Sequence, residues 1–238
     1  MSKTNATVRE RLRRGGAYVF GVTSDLTGNA ARRFREANGG LSLAGDRWVE
    51  WSFCFSRMAD GPGRTLDFGA DIGFLSLGAA QRGHDVVALD RLPSALDYEH
   101  PKVRHVQADV ITHNFGDERF DQIINCSSVE HVGLGGRYGS SDAPEGDIEA
   151  MGKLRSVLAP GGRHVLTIPV GRDGIFAPQH RVYGPERLPR LLDGHTVSEE
   201  QYWTKQGHHW RQADRATALD VQGSAAFYAL GLFVLTTS

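Results

Sequence analysis

The spacing of apolar residues changes near residue 64, and this change divides the chain into two predicted parts. Within residues 46–58, large apolar side chains recur every three or four positions, at Trp48, Trp51, Phe55 and Met58. That spacing is typical of one face of a helix. Gly61-Pro62-Gly63 then interrupts the pattern. We therefore predict a helical N-terminal cap over residues 1–60.

From residue 64 onward, short apolar runs alternate with helical patterns. Apolar runs predict strands at 65–68, 85–90, 120–126, 163–170 and 227–236, and an alternating pattern predicts another at 103–107. Helical spacing predicts three helices, at 72–81, 148–158 and 188–192. Strands that alternate with helices favour a mostly parallel sheet with helices on both faces. The sequence therefore predicts a single α/β domain over residues 61–238.

Composition excludes several classes of protein. The 238 residues can bury a sizeable core, and 27 basic against 28 acidic residues give a net charge of −1. A dedicated nucleic-acid-binding protein needs a basic surplus. Cys54 and Cys126 lie in apolar runs without metal-binding spacing, which indicates buried free thiols in a reducing compartment. Residues 1–16 lack a signal-peptide pattern, and no apolar run reaches ~18 residues. We expect a cytoplasmic monomer or homodimer without membrane contact.

The segment Leu66-Asp67-Phe68-Gly69-Ala70-Asp71-Ile72-Gly73 carries the candidate ligand site, because it turns the first predicted strand into the first predicted helix. Gly69 permits a positive φ and a close approach of ligand to backbone, and Gly73 permits close packing of the helix on the strand. Asp71 would repel the pyrophosphate of a dinucleotide. The ammonium group of S-adenosylmethionine suits an acidic turn better, so this cofactor is favoured.

Acidic residues also follow the next two predicted strands. Asp90 ends the second strand, where a carboxylate can accept hydrogen bonds from both ribose hydroxyls. Asp109 follows the third strand, where it can accept from the exocyclic amine of adenine while Val110 packs on the ring. Each carboxylate alone also fits a solvated loop or a helix cap. Together with Asp71 they are a stronger indication of a cofactor site than a glycine turn.

These motifs resemble those of the class I S-adenosylmethionine-dependent methyltransferases over residues 62–170. Asp71 replaces the middle glycine that is usual in the family's first motif, and Leu158-Ala159-Pro160-Gly161-Gly162 is similar to its approach to the fifth strand. The resemblance implies a Rossmann-like, doubly wound, seven-stranded sheet that binds S-adenosylmethionine. It implies cofactor contacts from Asp67, Gly69, Ala70, Asp71, Gly73, Asp90, Arg91, Asp109, Val110 and Asn125.

Further segments resemble a little-characterised methyltransferase-like family of unknown function more closely. They are Ser127–Gly135, Arg137–Gly139, Gly146-Asp147, Pro169–Gly171 and His180–Gly184. That family implies no particular substrate.

The candidate base lies past the fourth predicted strand, where the sulfonium methyl group is expected to point. There His131 is a candidate general base for a hydroxyl or amine, and Glu130 can orient it. The structural alternative is that Glu130 caps a helix and His131 packs beneath the loop. His180 is a second candidate base, or equally a loop anchor together with Arg181. Glu130, His131 and His180 could also bind a divalent metal, which their spacing neither demands nor excludes.

A third cluster of aromatic and histidine residues comprises Tyr202, Trp203, His208, His209 and Trp210. Aromatic side chains beside a cleft often line an acceptor pocket. A solvated loop is the favoured interpretation of His208 and His209. Trp48, Trp51 and Tyr138 can also wall a pocket if the cap folds over the edge of the sheet.

The leading hypothesis is S-adenosylmethionine-dependent methyl transfer to an oxygen, nitrogen or carbon of a small molecule. All but four of the 27 basic residues are arginine, which suggests a GC-rich bacterial genome and natural-product biosynthesis; saccharide modification is a second context. The alternative is a non-catalytic module that binds a nucleoside or a partner, motivated by Asp71. A nicotinamide-dependent oxidoreductase is disfavoured by Asp71 and by Pro101, which lies inside the Tyr98-x-x-x-Lys102 pair.

Overall fold

The computed structural model describes residues 43, 45–136 and 142–237. The strands are β1 (Gly63–Phe68), β2 (His84–Asp90), β3 (Val103–Gln107), β4 (Phe120–Cys126), β5 (Leu158–Val170), β6 (Gly174–Phe176), β7 (His180–Val182), β8 (Thr196–Gln206), β9 (His209–Ala213) and β10 (Ala229–Thr236). The helices are α1 (Asp46–Arg57), α2 (Phe74–Gln81), α3 (Gly146–Val157), α4 (Arg187–Leu191) and α5 (Arg215–Leu219), with a 3₁₀ turn at Val129–His131.

Eight of the strands form one sheet in the order β3-β2-β1-β4-β5-β10-β8-β9. The first five of these run parallel to one another, whereas β10 is antiparallel to both β5 and β8. β9 pairs with β8 as a hairpin, and β6 pairs with β7 in a separate small sheet. Successive strands are added to one side of β1 as far as β3 and to its other side from β4 onward, so the strand order reverses between β1 and β4. Ligands of open α/β sheets bind at the carboxyl ends of the strands at this point.

Each face of the sheet carries its own core. Leu66, Ile123 and Leu166 point to the face covered by α3 and α4, whereas Ile124 and Val165 point to the face covered by α1 and α2. Adjacent residues of one strand are therefore buried on opposite faces. This two-sided burial explains why β2 carries a continuous apolar run, residues 86–89, rather than an alternating pattern.

The predicted Rossmann-like, mostly parallel α/β architecture is confirmed, and the bounds predicted for β3 and β4 agree with the structure. The sheet has eight strands rather than seven, because β8 and β9 form a hairpin at its edge. The sequence analysis missed this hairpin, since β8 is largely polar and exposed along its first half. β5 also begins earlier than predicted, at Leu158, and includes the Pro160-Gly161-Gly162 segment.

Helix α1 packs directly on the sheet through Phe53 and Cys54, and residues from Gly45 onward form one compact unit. Of the cap predicted over residues 1–60, positions 1–42 and 44 lie outside the described residues, as does Tyr138. The domain limits therefore stay predictions. In the part of the chain that the structure describes, no helix has the length and apolar character needed to cross a membrane.

Candidate active site

The turn after β1 is built around a glycine that no other residue can replace without a clash. Gly69 has a φ of +72°, and its N–H donates to the carbonyl oxygen of Leu89 at 2.8 Å. A Cβ atom at this position would lie 2.1 Å from the Oγ of Ser128. The turn therefore lies against the segment that follows β4, which brings the two halves of the site together.

Three further residues predicted as cofactor contacts, Asp67, Ala70 and Gly73, lie in or beside this turn. Asp67 is buried, and it accepts a hydrogen bond of 2.5 Å from the hydroxyl of Ser76 on α2. Burial raises the pKa of Asp67 to about 6, because water no longer stabilises the charged form. Gly73 has a φ of +70°, and its carbonyl oxygen accepts a hydrogen bond of 2.6 Å from the hydroxyl of Tyr98. Ala70 is also buried.

Asp90 joins the turns that follow β1 and β2. One of its carboxylate oxygens accepts from the N–H of Asp71 at 3.0 Å, and the other accepts from the N–H of Leu92 at 2.8 Å. Asp71 itself has a φ of +48°, in the left-handed region that aspartate tolerates better than most residues. An aspartate can therefore follow the path that the usual glycine would take at this position.

The third strand end differs from the prediction in detail. Asp109 forms an ion pair with Arg91 and accepts from the N–H of Ile111 at 3.0 Å. A carboxylate has further acceptor sites, so these contacts leave capacity for an amine donor. Val110, which was expected to pack on an adenine ring, is instead 2% exposed and packs in the core.

Asn125 also departs from its predicted role as a cofactor contact. Its side chain is fully buried, with its amide nitrogen 3.8 Å from the sulfur of Met151 on α3. Its amide oxygen accepts from the N–H of Val129 at 3.3 Å. The side chain of Asn125 therefore links the 3₁₀ turn to α3.

The edge formed by β1, β2 and β3 fits a cationic ligand that carries an adenosyl group. Asp71, Asp90 and Asp109 follow three adjacent strands, and Ile72 and Leu92 are exposed apolar side chains on the same turns. Carboxylates can accept from ribose hydroxyls and an amine, and exposed apolar side chains can pack on a planar ring. This donor set matches S-adenosylmethionine.

A buried polar cluster lies at the ends of β4 and β5. Glu50, on α1, is fully buried and accepts hydrogen bonds from the hydroxyls of Ser127 and Thr167, the latter at 2.8 Å. Arg47 pairs with the same carboxylate at 2.7 Å. Burial raises the pKa of Glu50, against the opposing influence of Arg47 and Ser127.

The sequence analysis did not identify Glu50. The available signal was a charged residue four positions before Cys54, on the buried face of the predicted helix. Ser127 was also not singled out as an individual residue. Its φ of +49° is unusual for a non-glycine residue, and strained backbone of this kind is concentrated at functional sites.

Glu130 is a second carboxyl group whose pKa is raised in this cluster. It is 1% exposed, and its Oε2 receives no hydrogen bond from the described residues. Burial raises its pKa to about 8, and the nearby negative charge of Glu50 adds to the effect. Glu130 is therefore largely protonated at neutral pH, where it can donate a hydrogen bond.

The ring of His131 is fixed by a backbone carbonyl. Its Nδ1 contacts the carbonyl oxygen of Gln179, which can only accept a hydrogen bond. In the neutral ring Nδ1 therefore carries the proton, and Nε2 carries the lone pair that can accept another. Nε2 lies 3.8 Å from Oε1 of Glu130.

His180 has the geometry of an anchor. It is 5% exposed, its Nε2 donates to the carbonyl oxygen of Ser224 at 3.1 Å, and its ring stands edge-on to Tyr228 at 4.9 Å. This favours the structural alternative over a role as base. Among the described residues, no three histidine, cysteine, aspartate or glutamate side chains converge as a metal site, so His180 does not join Glu130 and His131 in one.

Comparisons with known proteins decide the family. A family model described as a Caenorhabditis protein of unknown function, DUF268, matches residues 89–212, just over half of the chain. A demethylmenaquinone methyltransferase of Thermus thermophilus is 32% identical over 173 residues, which are 68% of this chain and 72% of that relative. The chain belongs to the S-adenosylmethionine-dependent methyltransferases.

Solved structures of other methyltransferases share the fold. The 1,6-didemethyltoxoflavin N1-methyltransferase of Burkholderia thailandensis, solved with its acceptor and S-adenosylhomocysteine, is 18% identical with a TM-score of 0.52, over 94% of this chain and 90% of that chain. The N-methyltransferase NodS of Bradyrhizobium japonicum, solved with S-adenosylhomocysteine, is 18% identical with a TM-score of 0.54, over 81% and 87%. S-adenosylmethionine is the cofactor of this methyltransferase.

The other aromatic candidates are dispersed in this methyltransferase. His208 and His209 are exposed at the turn between β8 and β9, which favours the solvated interpretation. Tyr202 is buried, and its hydroxyl donates to Glu200 at 3.0 Å. Trp51 packs on Phe74, at the start of α2, with ring centroids 4.7 Å apart. Trp48, one turn before Trp51 on α1, is 81% exposed.

Proposed function

We propose that this methyltransferase transfers a methyl group from S-adenosylmethionine to an oxygen, nitrogen or carbon nucleophile of a small-molecule acceptor, with His131 as general base. The observation that carries the proposal is the contact between the Nδ1 of His131 and the carbonyl oxygen of Gln179. Because that contact assigns the ring proton to Nδ1, Nε2 is the atom able to take a proton from the acceptor.

The residues that would hold the cofactor are those at the carboxyl ends of the first three strands. Asp90 would accept from the ribose hydroxyls, Asp109 from the adenine amine, and Gly69 would allow the close approach of the methionine portion to the backbone. When bound, S-adenosylmethionine supplies an electrophilic methyl group on a sulfonium centre.

Glu130 would act together with His131 as a coupled acid-base pair. At neutral pH Glu130 is largely protonated, since its pKa is raised to about 8. A proton taken up at Nε2 of His131, 3.8 Å away, would lower the pKa of Glu130, because opposite charges stabilise each other in a buried site, and the proton that Glu130 then loses would pass to solvent. The acceptor's proton would thus stay on His131, and the ionised Glu130 would balance the charge of its ring.

A small-molecule acceptor fits both the charge and the relatives. The net charge of −1 provides no basic surplus for a nucleic acid. The names of the relatives above mention demethylmenaquinone and 1,6-didemethyltoxoflavin, both of them small molecules. Natural-product biosynthesis, saccharide modification and a cytoplasmic location belong to the proposal as possible settings.

The alternative, a non-catalytic module that binds a nucleoside or a partner, was motivated by Asp71. It loses this support, because Asp71 adopts the left-handed conformation in place of glycine and its N–H donates a hydrogen bond to Asp90. Calorimetry with S-adenosylmethionine tests the cofactor site. Asp90→Ala should weaken binding by about tenfold or more, since a charge-assisted hydrogen bond contributes about 1.5–3 kcal/mol. Asp85→Ala, which removes an exposed carboxylate near the other end of β2, is the matched control. Wild-type protein that does not bind S-adenosylmethionine would exclude the proposed function.

The role of the base is tested separately by transfer of a labelled methyl group to a pool of small-molecule extracts. His131→Gln should abolish most of the transfer while leaving the dissociation constant of S-adenosylmethionine within about twofold, because general-base catalysis contributes roughly 100-fold or more. Transfer at the wild-type rate by this variant would eliminate His131 as the base.

A further inference from the structure

Arg181, on β7, is a fully buried arginine whose donors reach backbone carbonyls rather than a carboxylate. Its Nη1 donates to the carbonyl oxygen of Val132 and lies 3.5 Å from that of Glu130. Its Nη2 donates to the carbonyl oxygens of Ala143 and Pro144, each at 3.3 Å. One guanidinium group therefore holds four carbonyls, two of which belong to the residues on either side of His131.

Arg181 also forms a buried ion pair, but that pair does not account for its contacts with the backbone. Asp147 lies 3.6 Å from the Nε of Arg181, and that Nε makes no hydrogen bond with the described residues. Asp147 is already paired with Arg187, whose nitrogens lie 2.5 and 2.9 Å from its two oxygens, and it accepts from Tyr183 at 3.1 Å. Arg181 is thus the member of this buried network that is directed toward the backbone beside His131.

The ring of His131 is held by the same short segment. Gln179, two residues before Arg181, supplies the carbonyl oxygen that receives the Nδ1 proton of His131. Three consecutive residues, 179–181, therefore control both the ring and the flanking backbone of His131. A shift of residues 130–132 relative to β7 would break the Nδ1 contact, and Nδ1 would no longer be the preferred site of the ring proton.

We propose that Arg181 is a positioning residue for methyl transfer, which fixes the backbone on both sides of His131 so that the proton stays on Nδ1 and Nε2 remains the base. The inference rests on the proposed role of His131. It assigns a function to the segments Gly146-Asp147 and His180–Gly184, which meet in this network. Lysine cannot replace Arg181, because a single ammonium group cannot reach four carbonyls in the plane of a guanidinium.

The decisive experiment compares Arg181→Lys with Arg187→Lys in the full chain. Arg187 is the matched control, since it shares Asp147 and the carbonyl of Pro144 with Arg181 but contacts neither Glu130 nor Val132. The readout is the ¹⁵N NMR spectrum of the His131 ring, assigned with His131→Gln. We expect the wild type and Arg187→Lys to show the proton on Nδ1, and Arg181→Lys to lose this preference.

Methyl transfer provides the second readout. For Arg181→Lys we expect kcat to fall by about tenfold or more, with the dissociation constant of S-adenosylmethionine within about twofold of the wild type. Wild-type ring signals in Arg181→Lys would overturn the inference, whatever the activity. Unimpaired transfer by His131→Gln would instead overturn the proposed base, and the ring spectrum would still decide the role of Arg181.

If Arg181→Lys does not fold, the wild type itself supplies the test. The guanidinium protons of Arg181 should be resolved, exchange slowly with water and show nuclear Overhauser contacts to the Hα atoms of Val132 and Ala143. Rapid exchange without these contacts would overturn the inference.

Discussion

At the residue scale, the site is marked by backbone conformations that most side chains avoid. Asp71 and Ser127 have positive φ values of 48° and 49°, and they are the non-glycine residues with this property in the described part of the chain. Asp71 follows β1 and Ser127 follows β4, the two adjacent parallel strands between which the strand order of the sheet reverses. Such strain persists only where the surrounding contacts enforce it. The hydrogen bonds to Asp90 and Glu50 supply these contacts.

Gly69→Ala should damage the cofactor site, because its Cβ atom would lie 2.1 Å from Ser128 in a backbone with a φ of +72°. We expect binding of S-adenosylmethionine to weaken by about tenfold or more, measured by calorimetry. Gly161→Ala is the control, since Gly161 has a φ of +76° with no atom within 4 Å of the new Cβ. An equal loss of binding in both variants would mean that backbone strain alone is responsible.

Glu130→Gln should change how stability depends on pH. The folded pKa of about 8 lies above the ordinary value of 4.5, so between these values the folded protein binds a proton that the unfolded chain does not. Burial of this carboxyl therefore lowers the free energy of unfolding as the pH rises toward 8. The variant should gain stability relative to the wild type between about pH 5 and about pH 9 in urea denaturation. Glu99→Gln, at an exposed position, should show no such trend.

At the scale of elements, α1 is joined to the carboxyl ends of β4 and β5 by one buried carboxylate. Glu50 accepts hydrogen bonds from Ser127 and Thr167, at the ends of β4 and β5, and pairs with Arg47. The opposite end of the helix is held by a partly exposed pair between Arg57 and Glu199. The contacts of Glu50 hold the start of the helix at the ends of β4 and β5, and the pair with Glu199 holds its end on β8.

The two ends of α1 should differ in what they contribute to stability. Glu50→Ala leaves two buried hydroxyls without this acceptor and removes the partner of the partly exposed Arg47, so we expect a loss of about 1–3 kcal/mol in the free energy of unfolding. Glu199→Gln breaks the partly exposed pair and should cost less than about 1 kcal/mol. Urea denaturation measures both, and similar losses at the two ends would contradict the assignment.

Sequence reasoning recovered the elements whose residues alone determine them. β4 was predicted with correct bounds because it is largely apolar, with Ile123 and Ile124 buried on opposite faces of the sheet. β8 was missed because half of it is exposed. Glu50 was missed for a different reason: its contacts with Ser127 and Thr167 span 77 and 117 residues, and no local pattern reports such pairings. Val110 and Asn125 follow the right strands but point into the core.

At the scale of the whole molecule, the sheet contains a buried histidine in one of its central strands. His164 on β5 is fully buried, neither ring nitrogen has a hydrogen-bond partner among the described residues, and its ring lies 5.8 Å from that of His195. Burial lowers the pKa of His164 to about 3, with His195 adding to the shift. The folded protein therefore resists protonation at this position.

This burial predicts sensitivity to acid. Between pH 6.5 and about 3 the unfolded chain binds a proton on His164 that the folded protein excludes, so the free energy of unfolding falls as the pH decreases. The contribution is fully present above pH 6.5 and falls by up to about 1.4 kcal/mol per pH unit below it. His164→Leu should show a weaker loss of stability in acid, measured by denaturation at several pH values. An unchanged slope would contradict the prediction, and exposed His209→Gln is the control.

The position of β10 has a consequence for how the protein is made. This strand, residues 229–236, lies between β5 and β8 and is buried along almost its whole length. During synthesis on the ribosome, β5 and β8 emerge first, and the backbone edge that each presents to β10 stays unpaired until β10 arrives. Completion of the sheet therefore waits for β10, and the nascent chain exposes two edges open to aggregation during that interval.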